Sequence, residues 1–405
     1  MVRFGNNFFV ARGDTLELGY IDLGRPNPQY VDAGAATFTL ATAGLPAWND
    51  FDTMFLFSHG ANLFGFATGS PISGPTAGQV PSSFTWDYGT LGGEDRAQRI
   101  DASKGDSLWA LYLQSEALVT TPVPGAADDG GTLDVDFSCN VSKAAAQLTS
   151  LTINSGPNAA PATFATTPVQ SVGIIYPRTQ WAARASEVHS QATVGAESLY
   201  VFAGPSPGLA NAELINCFNF PAFGGNPISD INRSLMVVDR LPTAWRRMGM
   251  AQTSYRVIKT VLDAGTWTST GNAYAEAGLN QPLGPQVHSP IQVRVQGIAA
   301  DQLVTVAAAM PLTVTWQPSA GLPAATGFSI SLLRMTRTNG STSRPVVARA
   351  FSGGNSFSFP AEFITPGAVY QLRVQARVST ASESAPYNGE ISSQADAITN
   401  PFIAQ

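Results

Sequence analysis

The stretch that decides the fold is "TPGAVYQLRVQARVS" (365–379), in which a Pro-Gly turn precedes a long run of strand-forming residues. Within "YQLRVQA", polar and hydrophobic residues alternate, which is the pattern of a strand with one face on a core. Proline fixes φ and glycine tolerates positive φ, so Pro366 and Gly367 mark the turn before the strand. The stretch therefore predicts a strand of an antiparallel sheet that begins close to Tyr370.

Further strands are predicted on both sides of this stretch. They lie in "PLTVTWQPSAG" (311–321), "GFSISLLRMTR" (327–337), "RPVVARAF" (344–351), "NSFSFPAEF" (355–363) and "GEISSQADAIT" (389–399). Their order, with Trp316 at the end of an early strand and Pro-Gly-x-x-Tyr opening the sixth, resembles a fibronectin type III domain. The resemblance implies a β-sandwich over residues 289–405, in which Trp316 is buried and the hydroxyl of Tyr370 bonds back to the backbone.

The rest of the chain is also interpreted as β-structure. Short apolar or alternating runs, separated by Gly, Pro, Asn and Asp, recur along residues 1–155 and predict a first β-sandwich domain. A Pro/Ala/Thr-rich stretch (154–171) has the composition of a linker or of a long surface connection. A second β-rich domain is predicted over 156–288, with a short helix near 178–192, and the Pro/Gly-rich stretch 280–290 is predicted to be a hinge. The expected fold class is all-β, with tandem antiparallel β-sandwich domains that end in the fibronectin type III-like domain.

Composition argues against several functional classes. Only 12% of the 405 residues are charged, and the net charge is −6. The sequence contains no block of basic residues, which argues against a nucleic-acid partner. No apolar run reaches the ~18 residues of a membrane span, and residues 1–14 lack the apolar region of a secretory signal. The neutral polar composition is typical of extracellular β-proteins, and the whole chain is similar in style to uncharacterised exported proteins of myxobacteria. We therefore expect an extracellular or cell-surface location.

Two cysteines, Cys139 and Cys217, lie in predicted strands. They form either one disulfide or two separate buried thiols, since cysteine is among the most buried residue types. The spacing of a zinc site or of a CxxC redox pair is absent.

Four aspartates in "ADDGGTLDVD" (127–136) form the candidate metal site. Ca²⁺ prefers several oxygen ligands on a flexible loop, and Asp128, Asp129, Asp134 and Asp136 could supply them. The D-x-D-x-D-G register of an EF-hand is missing, and a hairpin turn leading into a strand explains the same residues. Calcium is thus the cofactor to consider, against the alternative that the chain binds none.

Two of the seven tryptophans are candidate binding residues. Trp86, Trp109 and Trp316 lie in alternating strands and are expected in the core. Trp48 in "LPAWND" and Trp245 in "LPTAWRR" each follow a Leu-Pro turn and precede polar residues, so we predict that both are partly exposed. A flat indole ring at the surface can stack on the apolar face of a sugar, whereas the alternative role is packing at the rim of a core.

Two short motifs lie at predicted strand ends. "ARGDTLELG" (11–19) recurs as "SKGDSLWAL" (103–111), so we interpret Gly-Asp as a repeated turn into a strand and not as an adhesion signal. "FSHGANLFGF" (57–66) places Ser58 beside His59, but the chain has no G-x-S-x-G nucleophile motif. No residue is therefore assigned a catalytic role.

These observations favour a secreted or cell-surface protein that has a binding or structural role and is not an enzyme. Its expected partner is a polysaccharide or another component of a surface or matrix. The first alternative is a subunit that assembles with copies of itself into a filament or surface layer, because sheet edges allow strand-to-strand association. A less favoured alternative is a secreted glycan-active hydrolase, which needs two carboxyl groups across a cleft.

Overall fold

A computed structural model of the chain describes residues 2–10, 27–49, 52–66, 76–92, 95–118, 137–168, 170–204, 213–220, 230–261, 265–338, 341–380 and 391–405. Strands dominate these ranges, and the helices among them are short. The all-β fold class predicted from the sequence is confirmed.

The strands and helices are numbered in chain order. The first strands are β1 (Val2–Phe4), β2 (Asn7–Val10), β3 (Tyr30–Asp32), β4 (Ala36–Ala43), β5 (Thr53–Ser58), β6 (Leu63–Phe66), β7 (Ser83–Asp87), β8 (Arg96–Gln98), β9 (Leu108–Leu118), β10 (Phe137–Leu148) and β11 (Gly156–Thr163). Next come β12 (Gln170–Tyr176), α1 (Arg178–Ala183), α2 (Ala185–Val188), β13 (Thr193–Gly204), β14 (Glu213–Phe220), β15 (Ile231–Val237), β16 (Arg246–Val261) and β17 (Gly265–Gly278). The last are β18 (Ile291–Val295), β19 (Ile298–Ala299), β20 (Thr305–Val306), β21 (Leu312–Gln317), β22 (Gly327–Thr338), β23 (Ser341–Ser343), β24 (Val346–Ser352), β25 (Ser356–Phe359), β26 (Val369–Ser379), β27 (Ile391–Ile398) and β28 (Phe402–Ala404).

The part of the chain before β12, which we call the first section, contains a sandwich of two sheets. In one sheet β4 lies between β7 and β11, and in the other β9 lies between β5 and β10. The core between them is made of large aromatic and aliphatic side chains, which include Phe38, Leu40, Leu56, Trp86 and Tyr112. Burial of each such side chain is worth about 1.5–3 kcal/mol, so this core is the main source of stability for the section.

The sheet of β5, β9 and β10 is buried on both faces. Successive side chains of a strand point to opposite sides, so Leu56 and Tyr112 face the first core while Phe57 and Trp109 face a second one. The rings of Phe57 and Trp109 stack in that second core with centroids 6.3 Å apart. This position explains the continuous apolar runs "TMFLFS" and "LWALYL", since a strand between two cores has no solvated face.

The Pro/Ala/Thr-rich stretch that was predicted to be a linker is a strand instead. β11 pairs in parallel with β4 and forms an edge of its sheet within the described part of the chain. Pro157 and Pro161 are exposed there, and an edge strand tolerates proline because one row of its N–H positions faces no neighbouring strand. The linker prediction was wrong because β11 is held mainly by backbone hydrogen bonds to β4, which side-chain composition does not reveal. Ala162 is its buried side chain.

The second section contains β12 to β17 and both helices. α1 and α2 lie inside the range 178–192 that was predicted to be helical, and the chain becomes extended again at His189. β16 lies between β13 and β17 in an antiparallel sheet, while β12 pairs with β15. None of the described helices is long and apolar enough to cross a membrane.

The stretch 280–290, predicted to be a hinge, is packed into the protein. Leu283 and Val287 are buried. The backbone carbonyl of Leu283 accepts a hydrogen bond from Nε1–H of the buried Trp181 at 2.8 Å, and the Ser289 hydroxyl donates to a backbone carbonyl of β27. The proline and glycine content therefore reflects an irregular path through the core and not an open hinge.

The part of the chain from β18 onward, which we call the last section, is a sandwich of two sheets. One of them has four strands in the order β19-β18-β21-β25. β21 lies between β18 and β25, while the other sheet has the order β24-β22-β26-β27. Trp316 is buried against Phe328, with ring centroids 5.5 Å apart. The hydroxyl of the buried Tyr370 accepts a hydrogen bond from the backbone N–H of Thr365 at 2.8 Å. These are the features that the resemblance implied, and the section is a fibronectin type III-like β-sandwich.

One ladder of strand pairs runs through all three sections. Its order is β1-β2-β24-β22-β26-β27-β17-β16-β13-β14-β10-β9-β5-β6. β2 therefore joins the last section in parallel with β24, and β17 joins β27 through the pair Ala273–Ala395. The predicted domains 1–155, 156–288 and 289–405 stay predictions, because a shared sheet does not define which segment folds alone.

The polar face of β26 is buried, as is its apolar face. Gln371 and Gln375 are only 1% and 7% exposed. The start of β17 lies over this face, where Trp267 packs with Met335 and Val369. The second section thus covers polar side chains of the last section, which alternation within one strand cannot reveal.

Candidate functional site

The predicted binding residue Trp245 lies in the loop between β15 and β16. Its ring is partly exposed and packs against the second core. The loop begins with the Leu241-Pro242 turn, and the backbone N–H of Trp245 donates to the carbonyl of Pro242 at 3.0 Å. The flanking residues Thr243 and Arg246 are exposed. The Leu-Pro turn therefore presents the indole at the surface, as the sequence suggested.

A buried ion pair closes the base of this loop. Arg247 donates from Nε and Nη2 to the two carboxylate oxygens of Asp239, at 2.8 and 3.1 Å. The same guanidinium donates to the carbonyls of Leu241, Pro242 and Trp245 at 2.9, 2.7 and 2.6 Å. The planar guanidinium matches a carboxylate at two points, so one side chain fixes both ends of the loop.

His59 lies beside Trp245, in the turn between β5 and β6. The two ring centroids are 6.1 Å apart in an edge-to-face arrangement, and both side chains are partly exposed. Burial lowers the pKa of His59 from its ordinary value of 6.5, so the imidazole is neutral at physiological pH. We refer to Trp245 and His59 as the Trp245–His59 platform.

The Gly-Asp turn predicted from the sequence repeat supports this platform from below. Gly105 has φ of 84°, and the buried Asp106 accepts a hydrogen bond from the N–H of Asp101 at 2.8 Å. A Cβ atom at Gly60, next to His59, would overlap the Asp106 carboxylate. A side chain at position 60 would therefore require the Asp106 carboxylate to move. The first copy of the motif, in residues 11–19, lies outside the described residues.

Among the described residues, the platform offers stacking and hydrogen bonding but no nucleophile. Ser58, the hydroxyl nearest to His59 in sequence, is fully buried and accepts a hydrogen bond from the N–H of Ala61 at 3.4 Å. The neutral imidazole supplies one donor and one acceptor, and the indole supplies a flat apolar surface. This chemistry suits a ligand that has both an apolar face and hydroxyl groups.

Trp48, the other predicted binding residue, has a different environment. Its ring packs against Phe84 and Tyr112, with centroids 5.3 and 5.6 Å away. Its backbone pairs on both sides with the turn at Gly78 and Gln79. The ring is partly exposed, but these contacts make it a lid on the first core. The structure does not bring Trp48 and Trp245 into contact.

The remaining predicted site residues stay predictions. Asp128, Asp129, Asp134 and Asp136 lie outside the described residues, so the calcium site has no structural description. Within the described ranges, no group of three or more His, Cys, Asp or Glu side chains is arranged to hold a metal ion.

The predicted disulfide also stays a prediction. The two cysteines occupy neighbouring strands, with Cys139 of β10 opposite Phe218 and Cys217 of β14 opposite Asn140. Their side chains lie outside the described part. The backbone register places the two residues on adjacent strands and does not decide between a disulfide and two thiols.

Sequence reasoning missed the residues that hold the platform. Asp239 and Arg247 flank the Leu-Pro-Thr-Ala-Trp sequence on its two sides, which is a readable signal for a loop closed by an ion pair. The contact between His59 and Trp245 has no such signal, because it joins segments more than a hundred residues apart.

Similarity of this chain to known proteins is found among solved structures. No protein-family model matches the chain, and no curated protein matches it. A crystal structure of the FN1–FN3 domains of chicken CNTN1 is similar over 72% of this chain and 94% of that chain, with 12% sequence identity and a TM-score of 0.15. A similarity of this size carries no argument, so the fibronectin type III-like assignment rests on the strand order, Trp316 and Tyr370.

Proposed function

We propose that the chain is a non-catalytic binding and structural protein of the cell exterior, and that it binds a polysaccharide or another surface component through the Trp245–His59 platform. The observation that supports this proposal is the buried ion pair between Asp239 and Arg247, which fixes a partly exposed indole. A ring that is already held in place loses little conformational freedom on binding, so more of the contact energy contributes to affinity.

A sugar ring fits the chemistry of the platform. Its apolar face can stack on the indole of Trp245. Its hydroxyl groups can pair with the neutral imidazole of His59, and the exposed Thr243 adds a further polar group at the rim. The continuous strand ladder would serve as the rigid support for this surface.

Affinity electrophoresis tests the proposal, in native gels that contain dextran, xylan, hydroxyethyl cellulose or glycol chitin. We expect the chain to be retarded in at least one gel and Trp245→Ala to migrate freely. Arg246→Ala is the matched control, because it alters the adjacent exposed residue and leaves the indole in place. Trp48→Ala removes an aromatic ring elsewhere and should keep the retardation. Equal retardation of Trp245→Ala and the unmodified chain, or no retardation in any gel, would contradict the proposal.

A less favoured hydrolase activity is tested with the same polysaccharides. Release of reducing sugar by the unmodified chain, lost in Trp245→Ala, would make the platform part of an active site and would replace the binding proposal.

Self-assembly is the second candidate function, and the ends of the strand ladder favour it. Within the described strands, β1 pairs with β2 alone and β6 pairs with β5 alone. In the described part of the chain, each end therefore has an edge to which a strand of a second copy could pair. Light scattering after size exclusion and negative-stain imaging test this idea. A monodisperse monomer at high concentration would exclude it.

A further inference from the structure

Four arginines gather on the buried polar face of the sheet β24-β22-β26-β27 in the last section. Arg349 lies on β24, Arg373 and Arg377 lie on β26, and Arg344 lies two residues before the start of β24. The strand register places Ser331 of β22 opposite Arg349 on one side and opposite Arg373 on the other. We call Arg344, Arg349, Arg373, Arg377 and Ser331 the arginine face. It is independent of the Trp245–His59 platform.

Among the residues that the structure describes, the positive charge of the arginine face exceeds the negative charge that contacts it. Within the described residues, Asp396 is the one carboxylate at ion-pair distance from these guanidiniums, with 3.8 Å between its Oδ2 and Nη1 of Arg373. Asp396 is fully buried and already accepts hydrogen bonds from the N–H of Asn272 and the amide of Gln375, both at 2.8 Å. One carboxylate with two other donors cannot neutralise four guanidiniums.

Electrostatics within the face are correspondingly unfavourable. Burial lowers the pKa of the Arg377 guanidinium, and the charges of Arg349 and Arg373 lower it further, while Tyr274 and Asp396 act in the opposite direction. Burial also lowers the pKa of Arg344, and Arg373 adds to that effect. Like charges that are partly removed from water repel each other more strongly than on a surface. An anion placed among them would relieve this repulsion.

Two hydrogen-bond donors of the face have no partner in the described part of the chain. Ser331 is 1% exposed, and its hydroxyl makes no hydrogen bond to any described residue. Nε of Arg349, on the neighbouring strand in direct register, is also buried without a partner among these residues. Such groups are rare in folded proteins. A buried donor without an acceptor costs about 1–3 kcal/mol, and here two of them lie side by side within a cluster of positive charge.

We propose that the arginine face binds an oxyanion, namely a phosphate or sulfate, either as the free ion or as a group on an anionic polymer. Guanidinium groups bind such oxygens at two points, and the hydroxyl of Ser331 and Nε of Arg349 donate to the same ligand. The Arg373 side chain is 24% exposed, so the arginine face is in contact with solvent at this residue. Sequence alone does not show the site, because its members come from separate strands.

Isothermal titration calorimetry with sodium sulfate and sodium phosphate tests the proposal, at an ionic strength held constant with sodium chloride. We expect saturable binding to the unmodified chain. Arg349→Gln and Arg344→Gln should each weaken it by about tenfold or more, since each removes a charged donor. Arg246→Gln, which alters an exposed arginine of the second section, is the control and should bind as the unmodified chain does.

The source of the oxyanion is tested with dextran sulfate against uncharged dextran. Saturable binding of free sulfate or phosphate assigns the face to a free ion. Binding of dextran sulfate alone, lost in Arg344→Gln, assigns it to a group on a polymer. Absence of both, or binding that is unchanged in Arg344→Gln and Arg349→Gln, overturns the proposal.

The stability of Arg344→Gln separates an anion site from a purely structural cluster. Burial and then the charge of Arg373 disfavour the charged guanidinium of Arg344, and the hydrogen bond that it donates to the carbonyl of Thr270 is long, at 3.3 Å. Arg344→Gln should therefore be at least as stable as the unmodified chain in chloride buffer. A marked loss of stability in chloride would mean that the face holds the fold together without a ligand, which overturns the proposal. This readout also shows that the variant is folded.

Discussion

The carboxylate of Asp239 and the guanidinium of Arg247 form a two-point ion pair, with N–O distances of 2.8 and 3.1 Å, beneath the loop that carries Trp245. The Asp239 side chain is 2% exposed and that of Arg247 is 14% exposed. Both charges are therefore largely removed from water and depend on each other. The exposed indole and the buried ion pair form one structural unit.

Removing one partner of this pair should destabilise the protein strongly. In Asp239→Ala the guanidinium stays buried without its counter-ion, and such a change costs roughly 3–5 kcal/mol. Urea denaturation followed by circular dichroism measures the change in the free energy of unfolding. The control is Glu362→Ala, which breaks the exposed pair with Arg3 and should change stability by no more than about 1 kcal/mol. A similar loss of unfolding free energy in both variants would show that the Asp239–Arg247 pair stabilises the protein no more than an exposed ion pair does.

The Tyr370 hydroxyl should contribute measurably to the stability of the last section. Tyr370→Phe leaves the backbone N–H of Thr365 without its acceptor, and we expect a loss of about 1–2 kcal/mol in the free energy of unfolding. Tyr30→Phe is the control, because Tyr30 is 47% exposed. If both variants unfold at the same urea concentration as the unmodified chain, the hydroxyl bond does not support the turn.

The turn that carries His59 should not tolerate a side chain at position 60. Gly60→Ala forces the new methyl group into the Asp106 carboxylate, and overpacking of this kind costs about 1–3 kcal/mol. Thermal denaturation should show a lower melting temperature. Gly278→Ala is the control, since its nearest neighbour would lie 3.9 Å away. An unchanged melting temperature for Gly60→Ala would mean that Asp106 moves aside without cost.

His189 should make the protein less stable as the pH falls. Its Nδ1 accepts from the N–H of Gln191 at 3.1 Å, so Nε2 carries the proton and donates to Asn400 at 3.0 Å. Burial lowers the pKa of His189, while the bond to Asn400 opposes the shift. The unfolded chain, with a His pKa of about 6.5, therefore binds a proton more readily than the folded chain.

The stabilisation by neutral His189 is present above about pH 6.5 and is lost as the pH falls through the lower folded pKa. Urea denaturation between about pH 5 and pH 8 measures it, since imidazole titrates in this range. His189→Gln should flatten the decrease at the acidic end. The same acidic decrease in His189→Gln would assign it to other groups.

The local features of the last section were readable from its sequence. Pro366 and Gly367 mark the turn, Trp316 and Tyr370 are the large aromatic residues of two strands, and all of these signals act over a few residues. The half-buried state of Trp245 was predictable for the same reason, because a Leu-Pro turn and adjacent polar residues place it at the surface.

Features that depend on contacts between distant segments were not readable. Composition predicted a linker at 154–171, but pairing with β4 makes Gly156–Thr163 a strand. Alternation in "YQLRVQA" indicated that one face of the strand lies on a core, but it did not show that the start of β17 lies over the other face, which carries Gln371. In each case the partner that decides the outcome comes from another part of the chain.

The sequence by itself determined the all-β class, the strand positions of the last section and the exposure of Trp245, because turn chemistry and side-chain alternation are local properties of the backbone. Tertiary structure alone decided that one strand ladder joins all three sections, that His59 meets Trp245, and that four arginines share a face with Ser331. Burial, charge repulsion and hydrogen-bond satisfaction depend on distances in space, and spacing along the chain does not fix those distances.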